Sequence, residues 1–81
     1  MPENWRKIAK RLYDSEVNFS ISTFWDAGIE VKLGDEMNGF VARTDFDFDD
    51  DMPMQDIFKW LAEETCKHSP SSAFAKWYCK K

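Results

Sequence analysis

Residues 17–48, VNFSISTFWDAGIEVKLGDEMNGFVARTDFDF, alternate apolar and polar side chains in three runs that are separated by glycine-containing turns. A period of two is typical of half-buried strands, and it predicts strands at residues 17–25, 29–33 and 40–48. Because the two connections are short, we expect the strands to pair in chain order as an antiparallel meander.

Both predicted turns contain glycine, which adopts positive φ values without steric cost. The first turn is Asp26-Ala27-Gly28, and the second is residues 34–39, where Asn38-Gly39 is the strongest turn signal. Trp25 continues the apolar alternation of the first strand. Alternate residues of a strand share one face, and the face expected to pack against helices carries Phe19, Ile21, Val31, Phe40 and Phe46.

Helical periodicity flanks the strands on both sides. Apolar residues recur every three or four positions over residues 3–13 and again from Pro53 to about residue 68. Ser69-Pro70 has the residue types of a cap and first position of a last short helix. The predicted architecture is α+β: an N-terminal helix, the meander, and one long and one short C-terminal helix packed on one sheet face. We expect residues 1–81 to form a single domain.

Composition limits the location of the protein and the kind of core it forms. Of the 81 residues, 43% are hydrophobic and 16% aromatic, which is enough for a core that needs no metal or disulfide. No apolar run approaches the ~18 residues of a membrane span. The first five residues lack the apolar region of a signal peptide, so we expect a cytoplasmic protein without a membrane partner.

The two cysteines, Cys66 and Cys79, are expected to be free thiols, because disulfides are rare in the cytoplasm. A bridge between the two C-terminal segments is the alternative. Together with His68 these residues could also be read as three metal ligands. Their spacing matches no zinc pattern and a fourth ligand is missing, so a histidine at a helix end is the preferred interpretation.

Charge is distributed unevenly along the chain. Residues 1–11 carry a net charge of +3, residues 12–64 carry −11, and residues 65–81 carry +4. Within the central segment, residues 45–51 (DFDFDDD) hold five aspartates in seven positions. Such a block repels nucleic acid and attracts basic surfaces.

Catalytic motifs are absent from the sequence. It has no glycine-rich phosphate loop and no recognisable Ser-His-Asp or Cys-His-Asn arrangement. The spacing Asp45-x-Asp47-x-Asp49 matches the start of a calcium loop, but Asp50 and Asp56 occupy the positions that require glycine and glutamate. We therefore expect neither an enzyme nor a metal or other cofactor.

The order helix, three strands, helix is shared with the double-stranded RNA-binding domain, but the resemblance ends there. That family needs a basic start to its second helix, whereas this chain has Asp49, Asp50 and Asp51 before Pro53. Direct nucleic-acid binding by that surface is disfavoured by electrostatics.

The stretch FWDAGIEVKLGDEMNG, residues 24–39, resembles small uncharacterised proteins encoded by phages and prophages. The size, acidity and element order of the chain are also similar to those of some phage anti-CRISPR inhibitors, which occupy nucleic-acid sites with carboxylates. This second likeness is an analogy of fold and carries no residue assignment. It implies a basic nucleic-acid-handling partner, such as a CRISPR effector.

Sequence and resemblance together suggest a non-enzymatic protein that binds a macromolecule through an acidic surface. One alternative is a nucleic-acid-binding module that uses the basic ends, with Trp5, Trp77 or Tyr78 stacking on bases. Another is a purely structural or adaptor role for a solvated acidic face. An exposed Trp60 and an open sheet face leave homodimerisation open. The predicted partner-binding residues are Asp35, Glu36, Asp45, Asp47, Asp49, Asp50, Asp51 and Trp60.

Overall fold

The computed structural model describes residues 4–48 and 52–79 and confirms the predicted α+β architecture and element order. A helix is followed by three strands and then by two further helices. The elements are α1 (Trp5–Asp14), β1 (Phe19–Phe24), β2 (Gly28–Asp35), β3 (Gly39–Phe46), α2 (Met54–His68) and α3 (Ala73–Tyr78).

The three strands form one antiparallel sheet in the order β1-β2-β3, as predicted. Val31, at the centre of β2, lies opposite Ile21 on one side and Thr44 on the other. The buried residues of β2 are Ile29, Val31 and Leu33, so one face of the central strand is covered along its length. This alternation is the expected result for a sheet that is covered by helices on one side only.

The helical layer covers that face mainly through α2, which packs against β2 and β3 and also contacts α1 and α3. Ile57 and Leu61 of α2 are completely buried at the centre of the core, and each such side chain contributes roughly 1.5–3 kcal/mol to folding. Helices and sheet share one core, composed of Ile8, Leu12, Ile29, Val31, Leu33, Ile57, Phe58, Leu61, Ala62 and Phe74. Within the described ranges, no helix has both the length and the apolar composition needed to cross a bilayer.

Side-chain caps fix the starts of the first and last helices. The Asn4 Oδ1 atom accepts a hydrogen bond from the backbone N–H of Arg6 at 2.8 Å. In α3 the Ser72 Oγ atom accepts from the Ala75 N–H at 3.1 Å, so this helix begins three residues later than Ser69-Pro70 predicts. Ser69 instead ends α2, where its backbone N–H donates to the Thr65 carbonyl oxygen, so the capping hydroxyl of α3 comes from Ser72. Asp50 and Asp51 precede α2 in the sequence, where acidic residues suit the helix dipole, but they lie outside the described residues.

The prediction that Phe40 faces the helices is wrong. Leu33 pairs with Ala42 but the next residue, Gly34, pairs with Phe40, so Val41 is an extra residue in β3. A β-bulge of this kind reverses the alternation of the strand beyond it. Phe40 is therefore 44% exposed on the outer face, where the Lys32 Nζ atom lies 5.0 Å from its ring centroid.

The bulge depends on Gly34, which has φ +115°. A Cβ atom there would meet the Gly39 carbonyl oxygen and lie 2.9 Å from the Phe40 Cα atom. We expect Gly34→Ala to lower the free energy of unfolding by about 3 kcal/mol, because strain and a backbone clash combine. Chemical denaturation measures this loss.

Gly39→Ala is the matched control, since Gly39 also has positive φ but a Cβ atom there has no neighbour within 4 Å. It introduces the conformational strain without the clash, so its loss of stability should be clearly smaller. Equal losses for the two variants would show that the close approach at Gly34 is not what requires glycine.

Candidate partner-binding surface

The outer face of the sheet carries paired charges rather than an uninterrupted acidic surface. The Glu30 Oε2 atom accepts a hydrogen bond from Arg43 Nε at 2.7 Å, and the Lys32 Nζ atom lies 3.5 Å from Glu30 Oε1. The hydrogen bond from Arg43 is the main cause that lowers the pKa of Glu30. The Asp45 Oδ1 atom lies 3.7 Å from the Arg43 Nη2 atom. Lys32 and Arg43 thus offset part of the negative charge of residues 12–64 on this face of the sheet.

Asp35 has a structural role in the turn between β2 and β3. Its Oδ1 atom accepts a hydrogen bond from the Asn38 backbone N–H at 2.7 Å, and Oδ2 accepts from the side-chain amides of Asn18 and Asn38 at 2.7 and 3.2 Å. These bonds, the backbone one foremost, hold the pKa of Asp35 below its ordinary value. The carboxylate closes the turn and links it to the connection that follows α1.

The depressed pKa of Asp35 predicts a pH dependence of stability. The carboxylate stabilises the fold fully above the pKa of an unfolded aspartate, about 3.9, and this contribution is lost as pH falls through the lower folded pKa. We expect Asp35→Asn to melt at a lower temperature than wild type at about pH 5, with the difference shrinking towards about pH 2. Thermal melts of both proteins across this range measure it, and a constant difference would contradict it.

The predicted acidic residues do not all come together. Asp35 and Glu36 lie at the turn between β2 and β3, whereas Asp47 follows Phe46 at the far end of β3. Seven residues of extended chain separate the two groups by roughly 25 Å. Asp45 lies near the Asp47 end. Asp49, Asp50 and Asp51 lie outside the described residues.

The turn between β1 and β2 brings exposed aromatic residues to the same end of the sheet as Asp47. Phe24 pairs with Gly28, and a Cβ atom on Gly28 would lie 2.8 Å from the Phe46 carbonyl oxygen, so the start of β2 adjoins the end of β3. Phe24 and Phe48 are both about half exposed. We call this region the hairpin-end surface; it comprises Phe24, Trp25, Asp26, Asp45, Asp47 and Phe48.

Trp25 does not continue the buried face of β1 as its alternation predicts. The strand ends at Phe24, and Trp25 lies in the turn with 98% of its surface exposed. The Ala27 N–H donates to the Phe24 carbonyl oxygen at 3.0 Å, which closes the turn and carries Trp25 away from the core. A fully exposed tryptophan contributes no burial energy to the fold.

Trp60, the tryptophan among the predicted partner-binding residues, is not exposed. It is partly buried and packs against the core. Trp60 lies at the border of the apolar stripe of α2, close enough to that stripe to contact the core. This position removes one of the two grounds for homodimerisation.

The aromatic residues of the basic ends take part in internal packing. Trp5 stacks on Phe58 with ring centroids 5.6 Å apart, and Tyr78 stacks on Phe74 at 5.7 Å. The Arg11 guanidinium lies 4.8 Å from the ring centroid of Trp77. Each of these contacts occupies one ring face that base stacking would otherwise use.

Cys66 and Cys79 are free thiols that lie close to each other. Burial, followed by the hydrogen bond with Cys79, raises the pKa of the Cys66 thiol to about 12. His68 lies 3.4 Å from Glu64 on the same helix. Among residues 4–48 and 52–79, no three histidine, cysteine or acidic side chains cluster closely enough to hold a metal ion.

The aromatic component of the hairpin-end surface was not among the predicted site residues. The signal for it is that Phe24 and Trp25 directly precede the turn sequence Asp26-Ala27-Gly28. Side chains at the tip of a hairpin have no layer above them to pack against, so an aromatic residue there is exposed whatever its alternation. No protein-family model matches the chain, and neither the curated proteins nor the solved structures compared with it contain a match.

Proposed function

We propose that the protein is a non-enzymatic binding protein whose hairpin-end surface docks on a basic, nucleic-acid-binding surface of another protein. The observation that carries the proposal is Trp25, which is almost fully exposed, is followed by Asp26 and lies at the same end of the sheet as Asp47. Exposed aromatic residues add nothing to the stability of the free protein, and tryptophan is strongly enriched among residues that dominate protein interfaces.

The electrostatics of this surface support a basic partner. Asp26 and Asp47 are exposed beside Trp25 and Phe48, and neither has an ion-pair partner among the described residues. Carboxylates around an aromatic anchor steer a basic partner and favour the correct orientation in the encounter. The phosphates of a nucleic acid would be repelled by the same charges, which favours a protein partner over direct nucleic-acid binding.

The partner class follows from the same chemistry. A surface that binds phosphates presents lysine and arginine, and carboxylates placed on it block access for nucleic acid. The protein would then act as an inhibitor of its partner. A CRISPR effector is the specific candidate that the resemblance to phage-encoded inhibitors implies.

Neutralisation of the surface tests the proposal. We expect Asp45→Asn with Asp47→Asn to preserve the fold and to reduce affinity for a partner retained from host lysate about tenfold at low salt. The matched control, Asp14→Asn with Glu63→Gln, changes the net charge equally at exposed helix positions. Calorimetric titration of the purified partner measures both.

The salt dependence separates a specific surface from general acidity. Wild-type affinity should fall as salt rises, because the Debye length shrinks from about 10 Å at 0.1 M to about 3 Å at 1 M. The double variant should show a shallower dependence than the control. Equal affinities and equal salt slopes for the two variants would contradict a role for the hairpin-end surface.

A further inference from the structure

A groove lies at the end of the sheet opposite the hairpin-end surface, and it has a cavity volume of about 330 Å³. It runs between the connection from α1 to β1, the turn from β2 to β3, and the last residues of α2. We call it the turn-end groove. Its volume is within the range of ~300–1,000 Å³ that is typical of ligand pockets, and it accommodates one long side chain.

The polar part of the groove accepts hydrogen bonds and carries negative charge. Glu16 and Asp35 both line it, His68 lies on the side formed by α2, and the described residues that line it include no lysine or arginine. The Glu16 carboxylate has no hydrogen bond or ion pair within the described part of the chain. Asp35 accepts three hydrogen bonds and the Met37 backbone N–H also faces its carboxylate, so Asp35 contributes negative charge to the groove while Glu16 offers the open acceptor positions.

Part of the wall is apolar, next to polar side chains such as Asn18 and Ser72. Val17, Leu33 and Val41 line the groove together with Thr65 of α2. Val41 is the extra residue of the β3 bulge, and it is 52% exposed although it lies on the helical side. The same bulge that turns Phe40 outwards thus leaves an apolar side chain at the groove without a covering neighbour.

We propose that the turn-end groove receives an arginine side chain of the basic partner, an inference that rests on the proposed function. The aliphatic stem packs against Val17 and Val41, and the guanidinium group lies between the carboxylates of Glu16 and Asp35. Arginine fits better than lysine, because its planar group presents five N–H donors towards acceptors in several directions. The protein then contacts its partner at both ends of the sheet.

Titration with single amino-acid derivatives tests the groove without a partner protein. We expect N-acetyl-arginine amide to cause saturable NMR shifts at the backbone amides of Val17, Leu33 and Val41. N-acetyl-citrulline amide has the same shape without the charge and should cause no saturable shifts there. Equal responses to the two probes, or arginine shifts that lie elsewhere on the protein, would overturn the proposal.

Two variants separate binding in the groove from effects on the fold. Val41→Trp fills the groove from an exposed position, and Glu16→Asn removes a charge while suiting the φ of +59° at that position. Each should weaken arginine binding about tenfold with an unchanged or higher melting temperature. Glu63→Gln, on the exposed side of α2, is the control and should bind as wild type does.

The outcomes distinguish this inference from the proposed function. Undiminished arginine binding in both groove variants would show that the turn-end groove is not the arginine site. The binding of the lysate partner and its dependence on Asp45 and Asp47 would be unaffected by that result. Conversely, equal affinities and equal salt slopes for the Asp45→Asn, Asp47→Asn variant and its control would refute the proposed function. Saturable arginine binding would still establish a guanidinium site in the turn-end groove in that case.

Discussion

Replacing Val31 with aspartate is expected to unfold the protein. Val31 is completely buried at the centre of the middle strand, between Ile21 and Thr44. The substitution removes the roughly 1.5–3 kcal/mol of its burial and adds the cost of a buried carboxyl group without a partner. A chain of this size has a total stability of about 4–12 kcal/mol, so the combined loss of several kcal/mol consumes most of it.

Ser20→Asp is the matched control for Val31→Asp, because it introduces the same side chain into the same sheet on the opposite face. Ser20 is exposed and lies opposite Lys32, which can pair with the new carboxylate. Circular dichroism should show a cooperative melt close to that of wild type for Ser20→Asp and none for Val31→Asp. A normal melt of Val31→Asp would mean that the helices cover the other face.

Trp25→Ala is expected to have the largest effect on binding and almost none on stability. The side chain is nearly fully exposed, so its removal should change the free energy of unfolding by less than about 0.5 kcal/mol. As the aromatic anchor of the proposed interface it should contribute at least about 2 kcal/mol, which corresponds to roughly thirtyfold in Kd. Titration of the purified partner and a thermal melt measure the two quantities.

Met37→Ala provides the comparison for Trp25→Ala. Met37 is 95% exposed in the other hairpin turn, at the opposite end of the sheet. Met37 belongs neither to the hairpin-end surface nor to the residues that line the turn-end groove, so it reports the cost of truncating a large exposed side chain at a turn. Similar losses of affinity for the two variants would show that Trp25 is not a specific anchor.

The elements that the sequence predicts correctly are those in which the local pattern and the tertiary environment agree. Ile29, Val31 and Leu33 alternate with charged residues and are all buried in the structure. The short turns require antiparallel pairing in chain order, and the observed sheet has that order. One covered face and three strands leave little freedom for another arrangement.

The errors arise where a single residue interrupts the period. Phe40 follows the alternation of β3 in the sequence, yet the bulge at Val41 places it on the outer face. Trp25 follows the alternation of β1, but the turn begins one residue earlier than its apolar character suggests. Neither a bulge nor the first residue of a turn changes the hydrophobic pattern, so periodicity alone cannot locate them.

The candidate site was predictable in its charge but not in its geometry. Charge sums along the chain do not show that Arg43 pairs with Glu30, or that Asp35 is used to close a turn. The pairing of Arg43 with Glu30 and the role of Asp35 in the turn depend on which residues lie opposite each other in neighbouring strands. The sequence determines this register only to within a residue or two. The separation of Asp35 from Asp47 follows from that register as well.

Hydrogen exchange of the protein, free and bound to its purified partner, tests the central claim most directly. The account predicts that binding slows exchange at the backbone amides of residues 24–28 and 45–48, the two segments that contain the hairpin-end surface. Amides on the exposed sides of α1 and α2 should exchange at the same rates in both states. Protection confined to the helices, with residues 24–28 unchanged, would contradict the account.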